Sequence, residues 1–142
     1  MTETVLITGA GIGIGRSAAL AFAAAGHHVV VTDVLDAEGQ AVVAEINAAG
    51  GSAEYHRLDV RSTADADALV ARIEAARGGI DVIVANAGIA HKVPLDAMTD
   101  DKWDHTFDID LKGIFRVIRP ALAGMKARRK GAIVALSSIM GV

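Results

Sequence analysis

Thr8-Gly-Ala-Gly-Ile-Gly-Ile-Gly15 lies between an apolar run, Thr4-Val5-Leu6-Ile7, and an alanine-rich stretch. That placement decides the fold. A glycine-rich turn that ends a strand and opens a helix aims backbone N–H groups and the positive helix end at one point, where an anion binds. The spacing predicts a helix from Gly13 to Ala25, with Ile14, Ala18, Leu20, Phe22 and Ala23 as its apolar content and Gly26 as its stop.

Outward from this turn, strand-like and helical patterns alternate. Strands are expected at Thr4–Thr8, His28–Asp33, Ala53–Leu58, Ile80–Ala85 and Ala132–Ser137. Val29-Val30-Val31 and Val82-Ile83-Val84 are unbroken β-branched runs, the pattern of strands buried on both faces. A second helix is expected from Ala37 to Ala49, with Asp36 as N-cap and Gly50-Gly51 as stop. A third begins at a Ser62/Asp65 capping box, buries Leu69, Val70, Ile73 and Ala76, and ends at Gly78-Gly79. A fourth is expected as one long helix from Thr99 to Lys126. Trp103, Phe107, Ile114, Phe115, Ile118 and Leu122 form its apolar side, and Pro120 should kink it. The order implies an α/β fold, a Rossmann-type doubly wound parallel sheet with right-handed crossovers, truncated after the fifth strand. The longest loop, Ala87 to Met98, follows the fourth strand, at the sheet edge where such folds bind ligands.

The 142 residues suit one domain, and 52% hydrophobic content is too high for a disordered chain. No apolar run approaches the roughly 18 residues of a membrane span, and Met1-Thr2-Glu3 carries no export leader, so the expected location is cytoplasmic. With no cysteine, disulfides and thiolate metal sites are excluded. A net charge of −3 speaks against nucleic acid as partner. The basic cluster Lys126, Arg128, Arg129 and Lys130 suits a solvated helix end. His27, His28, His56, His91 and His105 show no metal-ligand spacing, and only His91, with Lys92, lies on the presumed substrate loop. Neither a G-x-S-x-G elbow nor a GK[ST] phosphate loop is present.

Asp33 ends the second strand. A carboxylate there accepts hydrogen bonds from both hydroxyls of an adenosine ribose and repels a 2′-phosphate. Ile12 in the turn and Val34 after Asp33 supply no offsetting positive charge, so the expected cofactor is NAD rather than NADP.

These stretches together resemble the short-chain dehydrogenase/reductase family. Thr8–Gly15 is similar to its TGxxxGIG turn, Asp59-Val60 to its adenine-contacting pair, and Ala85-Asn86-Ala87-Gly88 to its NNAG. Asp110-Leu111-Lys112-Gly113 resembles the helix that carries a functional Asn, and Gly131–Ser138 the strand that delivers the catalytic serine. The resemblance implies that Gly9, Gly13 and Gly15 leave room for the pyrophosphate and that the Ile14 N–H reaches phosphate. Asp59 and Val60 would meet adenine, while Asn86, Ala87 and Gly88 would border the nicotinamide ribose. Ser138 would hold the substrate oxygen.

Two departures qualify this. Asp110 stands where the family has Asn, and an ionised carboxylate accepts but cannot donate. The family's YxxxK unit has no counterpart here: four residues follow Ser138, and the only tyrosine, Tyr55, belongs to the third strand. The expectation is therefore an incomplete NAD-binding domain over residues 1–142, the N-terminal part of a longer oxidoreductase. It would transfer hydride between nicotinamide and a secondary alcohol or ketone, with a 3-oxoacyl thioester among the candidate substrates, and would form homo-oligomers. The alternative is a dinucleotide-binding module that needs a partner chain for catalysis.

Overall fold

A computed structural model describes residues 2–138. Five parallel strands, β1 (Thr4–Thr8), β2 (His28–Asp33), β3 (Ser52–Arg57), β4 (Val82–Ala85) and β5 (Ala132–Ala135), form one sheet in the order β3-β2-β1-β4-β5. The helices are α1 (Gly13–Ala24), α2 (Asp36–Ala48), α3 (Thr63–Arg77), α4 (Asp100–Asp110) and α5 (Lys112–Arg128). Alternation along each central strand builds two cores. Val5, Ile7, Val29, Val31, Val82 and Val84 pack with Ala19, Ala23, Val42 and Ile46, on the side of α1 and α2. Leu6, Val30 and Ile83 pack with Leu69, Ile73, Val117 and Met125, on the side of α3 and α5. Both faces of the central strands β1, β2 and β4 are therefore covered, which is why they read as nearly unbroken apolar runs, while β5 stays exposed.

The helix ends follow local chemistry. After α1, Gly26 adopts φ +87°, and the N–H groups of Gly26 and His27 return to the carbonyls of Ala23 and Phe22. Gly50 and Gly51 close α2 in the same way, through Asn47 and Ile46. Ser62 accepts from the Asp65 N–H at the start of α3, as its capping box requires.

Four expectations are corrected. Asp36 is not the N-cap of α2 but its first helical residue; Leu35 occupies the cap without a side-chain bond. The Asp36 carboxylate instead receives Tyr55 and Arg57 from β3. Ala76 is exposed, and Ala66 takes its place in the α3 core. The long fourth helix is two helices broken at Leu111 (φ −111°, ψ −57°), whereas α5 runs unbroken through Pro120. At the break, Gly113 packs so close to Val60 that a Cβ would lie 2.7 Å from its Cγ2. Arg116, 7% exposed, reaches back to the Asp108 carboxylate at 2.7 Å and the Asp108 carbonyl at 3.0 Å. Finally, α5 buries Gly113, Val117, Ala121 and Met125, leaving Trp103, Phe107 and Phe115 about half exposed. The small residues recur at helical spacing and let α5 approach α3; the aromatics fall on the opposite side.

Several of the histidines and basic residues are engaged by neighbouring groups, although Lys126, Arg129 and Lys130 stay exposed. His28 and His56 both bond Glu54, at 3.0 Å each. Burial pushes the Glu54 carboxyl up, but these bonds outweigh it and hold it below its ordinary range. Lys130 pairs with Glu3 and Asp81, and Arg128 donates to the Ile80 carbonyl. No helix among the described residues is long and apolar enough to cross a membrane.

Arg129, just past α5, is the non-glycine residue held at positive φ (+53°) among those described. Its N–H and that of Lys130 satisfy the Lys126 and Met125 carbonyls, a geometry that favours glycine. Arg129→Gly is expected to stabilise the fold by about 1 kcal/mol, raising the thermal midpoint by roughly 3 °C, as read by circular dichroism melting.

Candidate functional site

The sheet order reverses between β1 and β4, and the C-terminal ends of these strands open a cleft there. The cleft measures about 410 Å³. It brings together Gly9 and Ile14 from the glycine turn, Asp33 from β2, Asp59 and Val60 after β3, and Asn86, Ala87 and Gly88 after β4.

The glycines divide into two kinds. Gly9 has φ +63°, and a Cβ on it would lie 2.8 Å from the Ala87 Cα. A Cβ on Gly15 would strike the Gly9 carbonyl and the Asn86 amide, so Gly15 serves the contact between turn and strand. Gly13 differs: it has φ +58°, and a Cβ there would meet nothing within 4 Å. It faces the open side of the turn. Here α1 begins with Ile12 as an N-cap that makes no side-chain bond, and its first backbone bond runs from the Arg16 N–H to the Ile12 carbonyl. The N–H groups before Arg16 have no intrahelical acceptor and carry the positive helix end. Ile14 is an exposed member of this turn, not a core residue of α1. Open backbone donors and a carboxylate at the far end fit the pyrophosphate and ribose of a dinucleotide.

Asp33 is only 7% exposed. Its Oδ2 accepts the Gly11 N–H at 2.8 Å, and its Oδ1 accepts the N–H groups of Val34 (2.8 Å) and Leu35 (3.1 Å). Three of about four carboxylate lone-pair sites are thus committed to the backbone. These bonds fix the carboxylate at the edge of the cleft. Gly11 allows this fit, since a Cβ on it would sit 3.0 Å from Asp33 Oδ2.

A basic residue that neighbours in sequence do not reveal lies beside the turn after Asp33, where its ion-pair partner is Asp36. β3 pairs Arg57 with Asp33 in register, and the Arg57 guanidinium bonds the Val34 carbonyl at 2.6 Å. Neighbours in sequence gave no sign of it, because the contact crosses strands. Tyr55, on the same face, places its hydroxyl 2.7 Å from Asp36 Oδ1 and 3.0 Å from the Asp33 carbonyl oxygen. Burial and the Asp36 carboxylate push this phenol well above the ordinary tyrosine range. Tyr55 is therefore a structural donor beside the turn after β2.

Asn86 donates from Nδ2 to the carbonyls of Thr8 and Gly9, at 2.9 Å each. In return, Thr8 Oγ1 accepts the N–H groups of Asn86 and Ala87 at 3.0 Å each. The Thr8 hydroxyl was legible in sequence only as a motif letter; its role depends on β4 lying alongside. Asp110 does not line the cleft. It sits at the end of α4 and accepts the Ile89 N–H at 2.9 Å, with Gly88 packed against its carboxylate. Ser138 is described and exposed, past β5 on the same sheet edge as Asn86, since the Leu136 N–H bonds the Ala85 carbonyl in continuation of a parallel ladder. Residues 139–142 lie outside the described residues. His91 packs its ring 5.7 Å from that of His105, and no group of three or more acidic, His or Cys side chains among the described residues can hold a metal ion.

A switch-point cleft, a glycine turn opening a helix and an acidic end to β2 define a nucleotide-binding doubly wound domain. The chain belongs to the short-chain dehydrogenase family, whose sequence profile matches residues 3–142. It is 39% identical over 142 residues to a 3-oxoacyl-[acyl-carrier-protein] reductase FabG of Staphylococcus aureus, a match over 99% of this chain and 58% of that protein. The structure of a 3-ketoacyl-ACP reductase from Sinorhizobium meliloti 1021 superposes with a TM-score of 0.92 at 38% identity, covering 99% of this chain and 55% of that one. A metagenomic short-chain oxidoreductase solved in complex with NADP gives 0.92 at 34% identity, covering 96% of this chain and 62% of that one. The chain thus spans somewhat more than half the length of these relatives.

Asp59 is clasped before any ligand reaches it. Arg61 binds both its oxygens, with Nη2 to Oδ2 at 2.6 Å and Nε to each oxygen at 3.0 Å. The Arg61 guanidinium holds the Asp59 carboxyl below its ordinary value of 3.8. Because the folded value is the lower one, this pair stabilises the fold above the unfolded value and is lost as pH falls through the folded one. Arg61→Ala should move the Asp59 titration, followed by carboxyl NMR, back toward 3.8; an unmoved titration would show that Arg61 is not the cause.

Proposed function

We propose that this chain is the dinucleotide-binding part of an NAD(H)-dependent oxidoreductase that acts on a secondary alcohol or ketone. The observation that carries the reading is Asp33: a buried carboxylate fixed by the Gly11 N–H at the end of β2, inside the switch-point cleft. A carboxylate there favours a free ribose hydroxyl over a 2′-phosphate. When bound, the nicotinamide supplies or accepts the hydride. This chain's residues would bind and orient it: the open donors at Gly13 and Ile14 on the pyrophosphate, Asp59 and Val60 on the adenine, and Asn86, Ala87 and Gly88 beside the nicotinamide ribose. Ser138 would hold the substrate oxygen. Asp110, acting as an acceptor in place of the family's Asn, would fix the Ile89 backbone and with it the cleft wall.

The similarity to 3-oxoacyl-carrier-protein reductases supports a 3-oxoacyl thioester as the substrate class. The relative bound to NADP weighs toward the other cofactor. Proton transfer is assigned to a Tyr and Lys outside this sequence, because Tyr55 is its only tyrosine and is committed to the Asp33 and Asp36 side of the fold. Residues 1–142 would then be one cofactor-binding domain within a longer enzyme. Self-association is assigned to the exposed face of α4 and α5. There Trp103 stacks on Phe107 at 4.8 Å, and Phe107, Leu111 and Phe115 border a shallow groove of about 730 Å³.

Calorimetric titration with NAD and NADP tests the cofactor. NAD is expected to bind at least ~10-fold more tightly, about 1.4 kcal/mol, and Asp33→Ala to abolish that preference. Equal affinity in the unmodified protein sinks the proposal. Thermal melting of the variant must accompany the titration, since Asp33 also accepts three backbone N–H groups.

A further inference from the structure

Two charges of opposite sign meet at the end of β2, and they are held in different ways. Asp33 is buried and bound by three N–H groups of its own backbone surroundings. Arg57, its register partner on β3, has a side chain 59% exposed. The Arg57 Nη1 bonds the Val34 carbonyl at 2.6 Å and Asp36 Oδ2 at 2.9 Å. Asp36 is itself half exposed and also engages the Tyr55 hydroxyl. Tyr55 in turn lies across Gly39 of α2, where a Cβ would strike its ring. The Val34 carbonyl therefore anchors one edge of the guanidinium beside the turn that follows Asp33. Its ion-pair partner is a single exposed carboxylate.

We propose that Arg57 is a specificity-determining residue of the dinucleotide site, poised to take a phosphate carried on the adenosine 2′-hydroxyl. Asp36 is the group such a phosphate must replace. This rests on the reading of the cleft as a dinucleotide site. Exposed carboxylate–arginine pairs are weak, and a guanidinium fork matches a phosphate dianion better than a point charge does. Asp33 does not move aside readily, because its removal would leave the buried Gly11 N–H and the part-buried Val34 and Leu35 N–H groups without their acceptor. The two residues therefore act against each other: Asp33 penalises a 2′-phosphate, and Arg57 limits the penalty. The cleft discriminates by their balance and accepts NADP with reduced affinity rather than excluding it.

The test is a titration of the full chain with NAD and with NADP in four forms: unmodified, Arg57→Ala, Arg57→Lys and Asp36→Asn. A thermal melt of each checks folding. Arg57→Ala is expected to weaken NADP by about tenfold while NAD stays within about twofold. Arg57→Lys, which keeps the charge and loses the fork, should weaken NADP less. Asp36→Asn should tighten NADP severalfold. An NADP affinity that is indifferent to Arg57, or a loss shared equally by NAD and NADP in both Arg57 variants, overturns the proposal while leaving the dinucleotide reading in place. Failure of the unmodified chain to bind either dinucleotide overturns both.

Discussion

The amide of Asn86 donates to the carbonyls of Thr8 and Gly9, and the remaining geometry of the cleft depends on that pair of bonds. β1 and β4 are neighbours in the sheet but come from distant parts of the chain, and their ends would otherwise diverge at the switch point. The amide closes the gap from one side, and the Thr8 hydroxyl, accepting from Asn86 and Ala87, closes it from the other. The approach is so close that Gly9 and Gly15 admit no side chain. Two glycines of the turn are thus consumed by packing, and Gly13 alone of the three keeps an open side for a ligand.

Around this joint the structure arranges its charges by backbone first. Asp33 is held by three N–H groups, and Asp110 by the Ile89 N–H. Side-chain partners then add a second layer: Arg61 on Asp59, and Arg57 with Tyr55 on Asp36. The first layer is buried or partly buried and costly to disturb; the second is exposed and exchangeable. In the proposed reading, recognition of the ribose and adenine would accordingly be a competition with partners already in place. An acidic residue at a strand end announces only half of that competition.

The break at Leu111 shows why α4 and α5 were not legible as two helices. Apolar residues continue at helical spacing across it, and Pro120 offers a more obvious place for a kink. What separates the helices is tertiary. Gly113 seats against Val60, Arg116 reaches back to Asp108, and Asp110 turns to the Ile89 backbone. The same contacts turn the aromatic residues outward, while Ile114, Ile118 and Leu122 of the expected apolar side are partly buried and Ile118 packs against the core.

The order of elements, the central β-branched strands, the glycine turn and Asp33 at the end of β2 were all readable from the sequence. Each is a local pattern: alternation, helical spacing, a stop glycine or a residue at a strand end. Strand order among five similar runs has no local signature. Nor do the register pairing of Arg57 with Asp33, the three backbone N–H groups that hold Asp33, or the role of the Thr8 hydroxyl. These come from groups that are far apart in the chain and become neighbours only through sheet register and helix packing. Tertiary structure therefore decided the charge balance of the candidate cleft, although sequence had already pointed to residues that line it.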